Sequence, residues 1–221
     1  MVVLATKVYV EGDARERALR SLGAQVDNAL GDLTVEYDVG VRHDDFPTVT
    51  VDGPDAVVAR NLLREEWGEI TTDFEAGAQY VGTVAGWDEE AITLDAGEHV
   101  EVSRSDLGLG PGSPSQIRTR FGLVQHLPLQ FVYGESSRLA DAERDRLYEW
   151  SRGGGRVNYN SATRSEVRAT VNRAGHAGDV VTVERCGLLE GSVVCREGTD
   201  PPGLLASIGK HLRAELLCVV P

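Results

Sequence analysis

Lysine is nearly missing from this chain of 221 residues, appearing only at Lys7 and Lys210. Cysteine is scarce and odd in number, with Cys186, Cys195 and Cys218 alone. No two of them form a C-x-x-C pair, which removes both a disulfide framework and a zinc knuckle. Cys186 and Cys195 flank an expected hairpin, where they read as small buried hydrophobes able to face each other across it. No apolar run reaches the roughly 18–20 residues that a bilayer span requires. The opening MVVLATKVYVEGDARERAL lacks the basic head and small-residue cleavage site of a signal peptide, so cytoplasm is the expected location. Catalytic patterns are absent as well: there is no Ser-His-Asp order, H-E-x-x-H helix or nucleophile elbow. Adjacent acids such as Glu65-Glu66 and Glu89-Glu90 do not face each other on a regular element. His43 beside Asp44-Asp45 lacks the further ligands of a metal site. The loop Gly108–Ser113 lacks the Gly-Lys-Ser/Thr ending of a phosphate loop. The expectation is a non-enzymatic protein with no metal or cofactor.

What the chain has in excess is negative charge, a net −13. Its few cations are almost all arginine, as expected of a surface kept soluble in a very salty cytoplasm. The charge is uneven: residues 1–78 carry −9, residues 79–134 carry −4 and residues 135–221 carry zero. Within the last stretch, Trp150–Gly178 holds Arg152, Arg156, Arg164, Arg168 and Arg173 against Glu166 alone, a local +4. A basic island in an acidic chain marks a candidate anion contact.

Periodicity divides the chain into three. Residues 1–77 read strand–helix–strand–strand–helix–strand. A β-branched run fills Val2–Val10, and helical spacing follows over Ala14, Ala18, Leu22, Val26 and Leu30 behind a cap at Asp13. Leu33–Val41 and Thr48–Val51 alternate, a proline-initiated helix ends at Gly68, and Glu69–Phe74 is the expected closing strand. Residues 78–134 hold short strands at Tyr80–Ala85, Ala91–Ala96, His99–Val102 and Leu127–Tyr133, with a helix at Pro114–Phe121. Glycines within short, evenly spaced strands suit a small closed barrel. Residues 135–221 start with a linking helix, Arg138–Trp150, and then repeat the first order. The expected class is α+β: two ferredoxin-like βαββαβ domains flanking a small barrel.

The central GTVAGWDEEAITLDAG resembles the first hairpin of S1-type oligonucleotide-binding (OB) barrels. That resemblance covers about a quarter of the chain and implies strand binding by exposed aromatics and basic groups. LGLGPGSPSQIRTRFGLVQHLPL, together with most of the chain, resembles an archaeal family designated domain of unknown function 2110. It implies an archaeal origin and no particular activity.

Two sets of residues are candidates for contact with RNA. On the barrel these are Trp87, Arg118, Arg120 and His126, with Tyr80, His99, Phe121, Phe131 and Tyr133 as further possible platforms. Trp87 also sits beside Asp88-Glu89-Glu90, which would repel phosphate. On the island they are Arg152 and Arg156, which bracket three glycines, Tyr159 between Asn158 and Asn160, and Arg164 with Arg168 on one helical face. The leading expectation is a cytosolic RNA-binding protein, translation- or ribosome-associated, that uses barrel and island together. The alternatives are a small-molecule-binding regulator, and a protein-interaction scaffold whose acidic first segment docks a basic partner.

Overall fold

Three antiparallel sheets follow one another along the chain, each with helices of its own. The computed structural model describes all residues, Met1–Pro221. No helix is long and apolar enough to cross a membrane.

The first sheet holds β1 (Val2–Val3), β2 (Glu36–Val41) and β3 (Pro47–Asp52) in the order β1-β3-β2. Helix α1 (Gly12–Leu30) buries Ala18, Leu22, Val26 and Leu30, one turn apart, so its opposite face is left to solvent. Asp13 lies in the first turn of α1 and does not cap it; Glu11 holds that position with no side-chain hydrogen bond. Helix α2 (Ala56–Trp67) stops at Gly68, whose φ of +73° places it in the left-handed region. The expected closing strand is reduced to one bridge, Leu4 to Glu69. Beyond it Phe74 packs on Tyr80 and Tyr133, and these contacts draw the chain away into the central sheet.

The central sheet runs β6-β5-β4-β7-β8. Its strands are β4 (Gln79–Trp87), β5 (Ala91–Asp95), β6 (His99–Ser103), β7 (Pro128–Val132) and β8 (Arg138–Leu139). Strand β4 serves two partners by bending: Gln79–Thr83 pairs with β7, and Thr83–Trp87 pairs with β5 across a register shift. The expected closure does not occur, because β6 and β8 approach without pairing and the sheet remains a half-barrel. Strand β8 is only two residues long, and helices cover the open side: α3 (Arg104–Leu107), α4 (Pro114–Phe121) and α5 (Asp141–Trp150). Helix α5, grouped with the third segment on sequence, buries Leu147 and Trp150 in the central core.

The third sheet, β10-β11-β9-β12, contains β9 (Arg156–Tyr159), β10 (Val180–Arg185), β11 (Gly191–Cys195) and β12 (Leu216–Val219). Helix α6 (Arg164–Arg173) and helix α7 (Pro201–Gly209) cover one face over Val157, Tyr159, Val183 and Val193. All three cysteines are free thiols. Cys186 and Cys195 are not cross-strand neighbours, since Cys195 pairs with Val180 at the far end of the hairpin from Cys186.

The hairpin loop also ties the ends of the chain together. Leu188 and Leu189 insert into the hydrophobic core of the first segment, and the Leu188 N–H donates to Thr6 Oγ1 at 2.9 Å. At roughly 1.5–3 kcal/mol per fully buried leucine, this plug is the main apolar link between terminal segments.

Candidate functional site

Helix α1 and helix α6 face each other across a cleft of about 860 Å³. Its cations are Arg17 and Arg20 from α1, Arg164 and Arg168 from α6, and Arg185 from the end of β10. Its acids are Glu66 and Glu166, so the lining carries a net +3 in a molecule of net −13. Ala24 is the single apolar residue in the lining. Arg20, Arg164 and Arg168 have no carboxylate partner; Arg164 instead donates through Nε to the Val183 carbonyl at 2.5 Å. The other two arginines are held. Arg17 Nε lies 2.6 Å from Glu166 Oε1, and Arg185 Nη2 lies 2.5 Å from Glu66 Oε1 while also contacting Gln25.

Glu166 has a second duty. It closes a capping box with Thr163, accepting from the Thr163 N–H at 2.9 Å. Burial alone would raise its carboxyl, but the Thr163 hydrogen bonds and Arg17 bring it below the ordinary range, so it stays ionised. The N-terminus of α6 is therefore already served, and the pull of the cleft on an anion comes from its guanidinium groups.

The remaining island residues are placed elsewhere. Arg152 is 69% exposed, just beyond the end of α5, and pairs with Glu149 of that helix. Arg156 is largely buried against Glu184 and the Trp150 ring, 5.5 Å from the ring centre. Tyr159 is 1% exposed inside the third core, its hydroxyl unpartnered, and burial raises that hydroxyl far above its usual value. It presents no surface to a base. Asn158 donates to the Gly122 carbonyl at 2.9 Å, and Asn160 to the Gln125 carbonyl at 3.2 Å. Both asparagines thus dock the third sheet onto the central one. Gly122 is required there: at φ +65° any Cβ would stand 2.6 Å from Asn158 Nδ2. Arg173 sits at the other end of α6, bonded to Thr170.

The barrel candidates are structural in the same sense. The Arg118 guanidinium stacks 3.8 Å from the Trp87 ring centre and contacts Glu215, and burial lowers its affinity for a proton. Arg120 donates to the Leu109 and Pro111 carbonyls at 3.3 and 2.5 Å, fastening the glycine-rich loop. Tyr80, Phe131 and Tyr133 pack with Phe74, and Phe121 packs edge-on against Tyr148. His99 stays exposed on the outer strand β6.

His126 belongs to a buried polar node where the three segments meet. Its ring lies 3.9 Å from that of Tyr9, and burial, with Lys7 nearby, lowers its pKa to about 4, so it is neutral. Tyr9 donates to Glu190 Oε1 at 2.6 Å and accepts from the Ser161 N–H at 2.8 Å. Glu190 is fully enclosed, its second oxygen has no partner, and desolvation pushes its carboxyl up to about 8.

Family models match the chain from end to end in three pieces. Residues 1–73 match the DUF2110 N-terminal domain, 74–151 the central domain and 154–220 the C-terminal domain. The chain belongs to the DUF2110 family. No curated protein matches it. The DUF2110 central domain ends at residue 151, directly after the helix that packs on the central sheet.

In this DUF2110 chain, composition singled out Arg164 and Arg168 but missed Arg17, Arg20 and Arg185. The first two lie in a segment of charge −9, and the third lies on a hairpin. One signal pointed to them: Arg17, Arg20, Ala24 and Asn28 recur at three or four residues, opposite the buried stripe of α1.

Proposed function

We propose that this DUF2110 protein is a cytoplasmic, non-catalytic RNA-binding protein that seats the sugar–phosphate backbone in the cleft between α1 and α6. The observation that carries this reading is three arginines without carboxylate partners, gathered from two distant helices, in an otherwise acidic molecule. Guanidinium groups that lack an internal anion are the ones able to take up phosphate, with planar donor pairs matched to its oxygens. The lining offers no aromatic ring, so bases are not stacked there. Ser21, Asn28 and Ser165 supply hydroxyl and amide groups of the kind that meet ribose and phosphate oxygens. Recognition is accordingly of backbone rather than of sequence. In this reading the terminal units are ferredoxin-like and the central sheet is an opened, half-barrel variant of the OB/S1 type that acts as the joint between them.

A small-molecule regulator is less well served, because drug-sized ligand sites are lined mainly by apolar groups and this cleft has one. The test is direct titration of a labelled short single-stranded RNA. Wild-type protein is expected to bind in the range of about 10⁻⁴–10⁻⁶ M usual for backbone contacts. Arg164→Ala with Arg168→Ala is expected to weaken binding at least about a hundredfold, given charge-assisted hydrogen bonds of roughly 1.5–3 kcal/mol each. Wild-type protein that ignores RNA even at low salt would end the proposal.

A further inference from the structure

The five arginines of the cleft fall into two groups according to what already holds them. Arg20, Arg168 and the terminal nitrogens of Arg164 meet no carboxylate and are open to an incoming anion at once. Arg17 and Arg185 are occupied by carboxylates, but not equivalently. Glu166, the partner of Arg17, is fixed by the Thr163 capping box. Glu66, the partner of Arg185, makes no other hydrogen bond, and its side chain is 36% exposed. Arg185 is 31% exposed and is braced from behind by Trp67, whose ring centre lies 4.4 Å from the guanidinium. Such half-exposed pairs contribute little to stability, so a better anion can displace the carboxylate.

We propose that the cleft is a two-tier anion site that reads a run of adjacent phosphates, with Glu66 as the movable carboxylate that keeps the second tier closed. The inference rests on the backbone-binding reading and names the class of ligand: a phosphodiester chain, in preference to a lone phosphate. Arg164 and Arg168 stand one helical turn apart, about 5–6 Å between Cβ atoms, close enough to share one phosphate. A lone phosphate is satisfied there and gains nothing from opening Arg185. A second phosphate on the same strand reaches Arg185 only by replacing Glu66. Trp67 keeps the guanidinium in position when the carboxylate swings out, so the exchange leaves the cation on its platform.

The experiment compares a short oligonucleotide with inorganic phosphate on wild-type protein, Glu66→Gln and the control Glu65→Gln. Glu65 carries the same charge but lies outside the cleft lining. Glu66→Gln is expected to tighten oligonucleotide binding roughly three- to tenfold, since it removes the competing anion from Arg185. Phosphate affinity is expected to stay unchanged, Glu65→Gln to give a clearly smaller gain, and the gain to disappear when Arg185→Ala is added. An equal gain from Glu65→Gln, an equal gain for phosphate, or a gain that survives Arg185→Ala overturns the two-tier site. If Arg164→Ala with Arg168→Ala abolishes binding while Glu66→Gln changes nothing, the inference alone fails. If no variant binds RNA, the functional reading falls with it.

Discussion

Arginines lie both on the helix covering the central sheet and in the cleft between terminal segments, but their surroundings differ. On the central sheet, Arg118 lies against Trp87 and Glu215, and Arg120 is tied to two loop carbonyls. In the cleft, Arg20, Arg164 and Arg168 meet no carboxylate at all. The difference teaches that an arginine's availability is set by its neighbours in space. A +4 window therefore overcounts Arg152 and Arg156, which pair with Glu149 and Glu184, and omits Arg20, which pairs with no carboxylate.

The strongest way to break the comparison is to undo the cleft by separating its walls. Leu188→Asp with Leu189→Asp removes the plug that joins the terminal segments. A loss of roughly 3–6 kcal/mol is expected from burial alone. Calorimetry should then show the first segment melting separately, and RNA binding should vanish with it. A single unchanged transition would mean that other contacts position the walls.

A smaller effect tests the node beside the cleft. Glu190 has a folded pKa of about 8 against 4.5 for an ordinary glutamate, so the folded state keeps a proton that the unfolded state releases. Its contribution is complete below pH 4.5 and is lost as pH rises through about 8. At about 1.4 kcal/mol per pKa unit, the loss amounts to a few kcal/mol. Glu190→Gln should therefore stabilise the protein at pH 8, and the advantage should shrink as the pH falls toward 4.5. His126 acts in the opposite sense, present in full above pH 6.5 and lost toward 4, but both proteins share it. Denaturant melts across this range check the difference. A pH-independent difference would show that Glu190 does not titrate where burial places it.

The contrast sharpens further with matched arginine variants. Arg118→Ala should lower the melting temperature through lost stacking and an abandoned Glu215, about 1–3 kcal/mol, while leaving RNA affinity intact in the folded protein. Arg152→Ala should do almost nothing to either, within about 0.5 kcal/mol, because its pair with Glu149 is exposed and local. An affinity loss at Arg152 as large as at Arg164 would restore the continuous island that composition suggested.

Much of the fold was legible from periodicity. The strand and helix order of the central and third segments follows Ile92, Leu94, Val100 and Val102 at period two, and Val167 with Val171 at one helical turn. What escaped was whatever depends on distant partners. The closing strand of the first segment failed because Phe74 belongs to an aromatic cluster formed by Tyr80 and Tyr133. Barrel closure failed because β8 is only two residues long. Tyr159 looked like a polar reader between two asparagines, yet strand alternation turns it into the core and its neighbours toward the central sheet. The cleft joins residues about 150 positions apart in sequence, and no local pattern reports that.

The most direct measurement is the dependence of RNA affinity on salt for wild-type protein and for Arg164→Ala with Arg168→Ala. Backbone binding predicts that the logarithm of affinity falls linearly with the logarithm of salt. Loss of two phosphate contacts should flatten that line by about 1.4, at roughly 0.7 per contact on a single strand. Parallel lines for the two proteins, or no wild-type binding at the lowest salt, would contradict the account.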